Sequence, residues 1–129
     1  MDRTDGKPIR IPDASHPITI EPNPKRVVVT AGGRVIVDTT RALSLREASY
    51  PAVLYLPRED TDMTLLSRST TSTYCPYKGD CSYYSIDVGG DRKADAVWTY
   101  ETPYDAVAQI QGYLAFYPNR VDSIEERPA

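Results

Sequence analysis

Short apolar runs alternate with polar residues along this chain, and Pro or Gly interrupts them every few positions. That pattern predicts many short strands rather than long helices. Residues 26–30 and 34–39 are Val-rich, and Ala31-Gly32-Gly33 between them predicts a hairpin. Residues 18–21 and 52–56 read as further strands, the second ended by Pro57, and residues 67–74 as a strand polar on both faces. Strand alternation over residues 82–88 puts Tyr84, Ile86 and Val88 on one face, with Tyr83, Ser85 and Asp87 on the other. Residues 94–100 form a strand carrying Ala96, Trp98 and Tyr100 on one side. Residues 43–49 and 63–66 read as short helical turns. The clearest helix covers 103–111: Thr102 caps it, Pro103 takes the first position, Asp105 completes a capping box and Gly112 ends it. Residues 113–117 and 120–125 then read as a second hairpin around Pro118-Asn119.

Together these elements predict a mainly β fold. It is a single domain of short antiparallel strands forming a curved sheet or open barrel, with one short helix near 103–111. The domain spans residues 16–125, preceded by a loose lead-in at 1–15 and followed by a tail at 126–129. The length of 129 residues suits one domain with a core of its own. A net charge of −3, with Lys and Arg scattered, excludes nucleic acid as the main partner. No apolar run approaches the ~20 residues that span a bilayer, so no membrane partner is expected. The first residues lack the apolar segment of a signal peptide, and the expectation is a soluble, cytoplasmic protein.

Aromatic usage is lopsided toward tyrosine. Ten tyrosines stand against one Phe and one Trp, and a buried Tyr hydroxyl must find a partner. They either occupy half-exposed strand positions or line a concave, hydroxyl-rich surface suited to a small polar ligand.

Five motifs occur in order: His16-Pro17-Ile18, Tyr55-Leu56-Pro57-Arg58-Glu59-Asp60, Cys75-Pro76-Tyr77-Lys78-Gly79, Ala96-Val97-Trp98-Thr99-Tyr100, and Ile110-Gln111-Gly112-Tyr113-Leu114-Ala115-Phe116-Tyr117. In order and spacing they resemble the domain of unknown function 427 family, from about His16 to Asp122. The resemblance implies a small β-rich bacterial domain, related to the β-tent folds, some of which bind zinc. The nucleotidyltransferase-like label sometimes given to the family finds no support, because no Gly-Ser loop precedes paired carboxylates for two Mg²⁺ ions. Where the family usually has a small residue, this chain has Cys81.

Candidate chemistry centres on Cys75-Pro76-Tyr77-Lys78-Gly79, which places a thiol and an amine three residues apart in a turn. A thiol beside an ammonium ionises early and becomes a nucleophile. The same residues also make an ordinary strand connection, with Cys75 as a small buried hydrophobe. Cys75 is the candidate nucleophile, and Lys78 and Arg58 are the anion holders. Glu47 or Asp60 is the candidate base or its orienting acid, and His16, the only histidine, is a further base. Tyr55, Tyr84, Trp98 and Tyr100 complete the ligand-binding set, although paired aromatics on one strand face commonly belong to the core. Cys75 and Cys81 are spaced too widely for a zinc knuckle, so no metal and no cofactor are expected. The sequence therefore points to a small-molecule-binding domain for a small anionic or polar ligand, with catalysis by Cys75 and Lys78 left open. A non-catalytic protein-interaction module and a Cys75/Cys81 redox switch are the alternatives, and an open sheet edge admits a homodimer.

Overall fold

The computed structural model describes residues 7–129; the first part of the expected lead-in, residues 1–6, lies outside the described residues. Gly32 and Gly33, with φ of 56° and 75°, close the hairpin between β2 (Arg26–Ala31) and β3 (Arg34–Thr39), as the Gly-Gly pair predicts. Strand β10 (Ser123–Arg127) adds to the other edge of β2, making a sheet in the order β10-β2-β3. A second sheet joins β1 (Ile18–Pro22), β4 (Leu43–Glu47) and β5 (Val53–Tyr55) in the order β1-β4-β5. The third runs β6 (Leu66–Cys75), β7 (Gly79–Val88), β8 (Asp91–Thr99) and β9 (Leu114–Phe116). All pairings are antiparallel. Paired bonds between Leu56 and Leu114, each 2.8 Å, fasten the end of β5 to β9. The fold is mainly β, and its three sheets stay open rather than closing into a barrel.

Two apolar clusters hold the sheets together. The larger gathers Val27, Val29, Val37, Ile86, Val97 and Phe116 from the second-strand hairpin and the four-stranded sheet. The smaller gathers Leu45, Tyr55, Cys81, Tyr100, Val107 and Ile110, and it lies under the candidate residues. No helix among the described residues is long and apolar enough to cross a membrane.

Three local expectations change. Residues 43–49, expected as helical turns, form β4: Leu45 is buried while Arg46 is exposed, and the strand pairs with β1 on one side and β5 on the other. Two-sided pairing overrides a weak local preference. The expected helix is a 3-10 segment, Asp105–Ile110, kinked at Val107 (φ −126°), and Tyr104 rather than Thr102 precedes it. Residues 113–125 are not a hairpin. Strand β9 pairs with β8 and β10 with β2, and a 3-10 turn at Pro118–Arg120 carries the chain between two sheets. Two separate sheet edges each gain a partner this way, which a local turn signal does not reveal. The turn at Met63–Leu65 forms as expected, its start satisfied by Asp62 accepting from the Thr64 amide. Strand β10 also runs into the segment expected as a tail.

Candidate functional site

The connection between β6 and β7 turns a surface-type residue inward. Gly79 takes φ 108°, which side-chain-bearing residues resist. The Lys78 amide donates to the Cys75 carbonyl (3.2 Å), and the Lys78 carbonyl accepts from the Tyr104 amide (3.0 Å). Held on both sides, Lys78 keeps only 7 % of its surface exposed. A lysine so buried needs a partner. Its Nζ donates to Oε1 of Glu47, the last residue of β4. Beyond Glu47 the chain turns sharply at Ala48 (φ 49°), whose amide donates to the Pro17 carbonyl (2.8 Å).

Glu47 has a second partner. Its Oε2 lies 2.7 Å from His16 Nε2, and the His16 ring stacks on Tyr77 with centroids 4.1 Å apart and planes 5° from parallel. His16, Glu47 and Lys78 thus form one chain of contacts, with Cys75 Sγ 3.9 Å from Lys78 Nζ. Burial pushes the Glu47 carboxyl up, but hydrogen bonds from Lys78 and His16 outweigh it and hold the group below its ordinary value. A carboxylate depressed in the folded state adds stability above its unfolded value, and that stability is lost as pH falls through the folded value. Glu47→Gln is therefore expected to cost more stability at about pH 7 than at about pH 3. Urea unfolding of both proteins at the two pH values checks this, and an equal cost at both contradicts it.

Beside Glu47 and Lys78 opens a cavity of about 280 Å³, walled by Tyr55, Tyr83, Trp98 and Tyr100. Tyr117, Tyr50 and Cys81 also face it. The Tyr55 hydroxyl accepts from Trp98 Nε1 at 3.2 Å, and the two rings meet edge to face. Burial pushes the Tyr55 and Tyr100 hydroxyls well up, the Tyr83 hydroxyl up to about 12, and the Cys81 thiol up. The wall is therefore neutral across physiological pH, and the charges at the cavity belong to the Glu47–Lys78 pair.

The sequence candidates divide into three groups. Cys75, Lys78, Glu47 and His16 meet in one network, and Tyr55, Trp98 and Tyr100 share its cavity. Arg58 and Tyr84 lie elsewhere. Arg58 donates to the Gly112 carbonyl (2.6 Å), the Tyr84 hydroxyl (3.0 Å) and Thr99 Oγ1 (3.3 Å), and it pairs with Glu101. It ties the loop after β5 to the approach to β9, where it is committed to structure. Asp60 is in a third place, accepting from Thr39 (2.7 Å) and pairing with Arg41 (3.1 Å). Glu47, not Asp60, is thus the acid beside Lys78.

Sequence reasoning missed Tyr83, Tyr117 and Cys81 as cavity residues. The alternation that separates Tyr83 from Tyr84 carried the signal for the first, since only one of the two faces can meet the cavity. Tyr117 follows β9, whose pairing with β8 is long-range.

Both cysteines are free, Cys81 buried and Cys75 half-buried. Cys81 pairs across with Thr73, so Cys75 is its diagonal neighbour. Such neighbours stand about 7–8 Å apart, at or beyond the reach of a disulfide. Among the described residues no three or more His, Cys, Asp or Glu side chains converge as metal ligands.

Three open antiparallel sheets, two of which wall an aromatic cavity, define a small mainly β domain with a formed pocket. The model of the family described as Domain of unknown function (DUF427) matches residues 19–127, and the chain belongs to that family. No curated protein matches the chain.

Proposed function

We propose that the tyrosine-walled cavity binds a small, neutral, ring-shaped polar molecule. The observation that carries this reading is the convergence of Glu47, Tyr55, Lys78, Tyr83, Trp98 and Tyr100 from five separate segments on one cavity. At 280 Å³ it has the volume of roughly nine waters, at ~30 Å³ each, enough for a single-ring ligand. Aromatic faces supply stacking and phenol groups supply directional hydrogen bonds. Lys78 is already neutralised by Glu47, so a net anion gains little from it and repels Glu47. Polar ligands are favoured over the anionic ones that the sequence equally admitted.

An interaction module gains less support. Ile9, Ile11, Val35 and Tyr50 are the exposed large apolar residues among those described, Val35 lies on β3 apart from the pocket, and Tyr50 belongs to the cavity rim. Nucleophilic catalysis by Cys75 rests on the 3.9 Å contact with Lys78. Glu47 engages that same ammonium, which leaves less of its field for a thiolate.

Trp98 is the single tryptophan and lines this cavity, so its fluorescence responds to binding there, and Glu47→Gln ties the response to this cavity. Nicotinamide and nicotinate are near-isosteric probes, one neutral and one anionic. Nicotinamide is expected to change Trp98 emission saturably and at lower concentration than nicotinate, and Glu47→Gln, which frees the Lys78 charge, reverses the order. No saturable change with either probe, or tighter nicotinate binding to the unmodified protein, overturns the proposal.

A further inference from the structure

We infer that the apolar cavity on the other face of the β1-β4-β5 sheet is a second binding site, for a free α-amino acid with a bulky apolar side chain. Alternation along β4 and β5 separates the two cavities. Leu45, Glu47 and Tyr55 face the first, while Ser44, Arg46 and Leu54 face the second. Trp98 and Val53 border both.

The second cavity, about 410 Å³, has an apolar floor made by Leu54, Leu56, Trp98, Phe116 and Ile124. Its polar residues are at the rim. Arg46 is exposed there with no ion pair or side-chain hydrogen bond among the described residues. Glu126 is the opposite charge, oriented by Asn23, whose Nδ2 donates to Glu126 Oε1 (2.8 Å) and to Ser44 Oγ (3.2 Å). Ser44 and Arg46 are two residues apart on one strand face, about 7 Å at ~3.4 Å per residue. Asn23 therefore fixes Glu126 beside the strand that carries Arg46, and the two opposite charges line one cavity with no ion pair between them among the described residues.

This arrangement selects a class of ligand. An unpaired guanidinium takes a carboxylate bidentately. Glu126 disfavours a simple organic acid and favours an ammonium beside that carboxylate. The floor takes an aromatic or branched apolar side chain, and the volume corresponds to roughly fourteen waters. A zwitterionic, apolar-tailed amino acid meets all three demands. The site is separate from the tyrosine-walled cavity and does not depend on its function.

Calorimetric titration of the full chain with L-phenylalanine, 3-phenylpropionate (no ammonium) and phenethylamine (no carboxylate) tests this. L-phenylalanine is expected to bind saturably and more tightly than either truncated probe. Arg46→Ala and Glu126→Ala, both at exposed positions, should each weaken it about tenfold, while Lys78→Met leaves it unchanged in protein that circular dichroism shows to be folded. Equal binding of 3-phenylpropionate overturns the zwitterion assignment. Absence of L-phenylalanine binding, or binding indifferent to Arg46→Ala and Glu126→Ala, overturns the site.

Discussion

Lys78→Met is expected to lower the unfolding free energy by about 3–5 kcal/mol, the range for removing one partner of a buried pair. Methionine nearly matches the aliphatic stem in volume, so packing changes little and the loss reports charge. The side chains of Lys78 and Glu47 are only 9 % and 18 % exposed, so the carboxylate left behind cannot rehydrate fully. His16 remains as a partner for Glu47, which places the expected value toward the lower end of that range. Adding Glu47→Gln removes the stranded charge and is expected to recover part of the loss. Urea unfolding of the wild type, both single variants and the double variant gives the coupling directly. A loss below about 1 kcal/mol, the value of an exposed pair, contradicts the burial argument.

Gly32→Ala is expected to cost about 2–5 kcal/mol. The backbone at φ 56° penalises any L side chain, by roughly 1–2 kcal/mol. A Cβ there would also stand 2.6 Å from Val88 Cγ2 and 2.9 Å from Val88 Cβ, and Val88 is a buried core residue at the end of β7. A short branched side chain cannot swing away, so overpacking adds about 1–3 kcal/mol. Gly33 is the control: its φ is 75°, but a Cβ there meets open space. Gly33→Ala should therefore cost only the backbone part. Equal denaturant midpoints for the two variants would mean that the contact with Val88 carries no energy.

Much of the fold was legible because β periodicity is local. The Val-rich runs around Gly32-Gly33 specify both strands and their turn, and the Cys75–Gly79 turn joins β6 to β7 as its Pro and Gly imply. What escaped was decided at long range. Leu43-Ser44-Leu45-Arg46-Glu47 looks weakly helical alone and becomes a strand because β1 and β5 flank it. Residues 113–125 carry a good turn at Pro118-Asn119, yet the segments on either side complete different sheets.

The candidate network was legible in part for a different reason. A lysine in a tight turn, one histidine and an acid at a strand end are recognisable one by one. Their meeting depends on the Lys78 carbonyl being held by the Tyr104 amide and on β4 ending at Glu47, before the turn at Ala48. Nothing local distinguishes Glu47 from Asp60, and the alternation that separates Tyr83 from Tyr84 does not say which of the two faces meets the cavity. The first choice is made by the β1-β4 register, which sets Ile18 opposite Glu47 and so brings His16 to its carboxylate. The second is made by the facing of β7.

We propose the tyrosine-walled cavity as a binding site for neutral polar molecules, and backbone amide NMR during titration with nicotinamide tests this residue by residue. Saturable shifts concentrated on Leu45 to Glu47, Lys78, Tyr83 and Trp98 to Tyr100 are expected. Shifts that do not saturate, or that gather on residues away from this cavity, would contradict it.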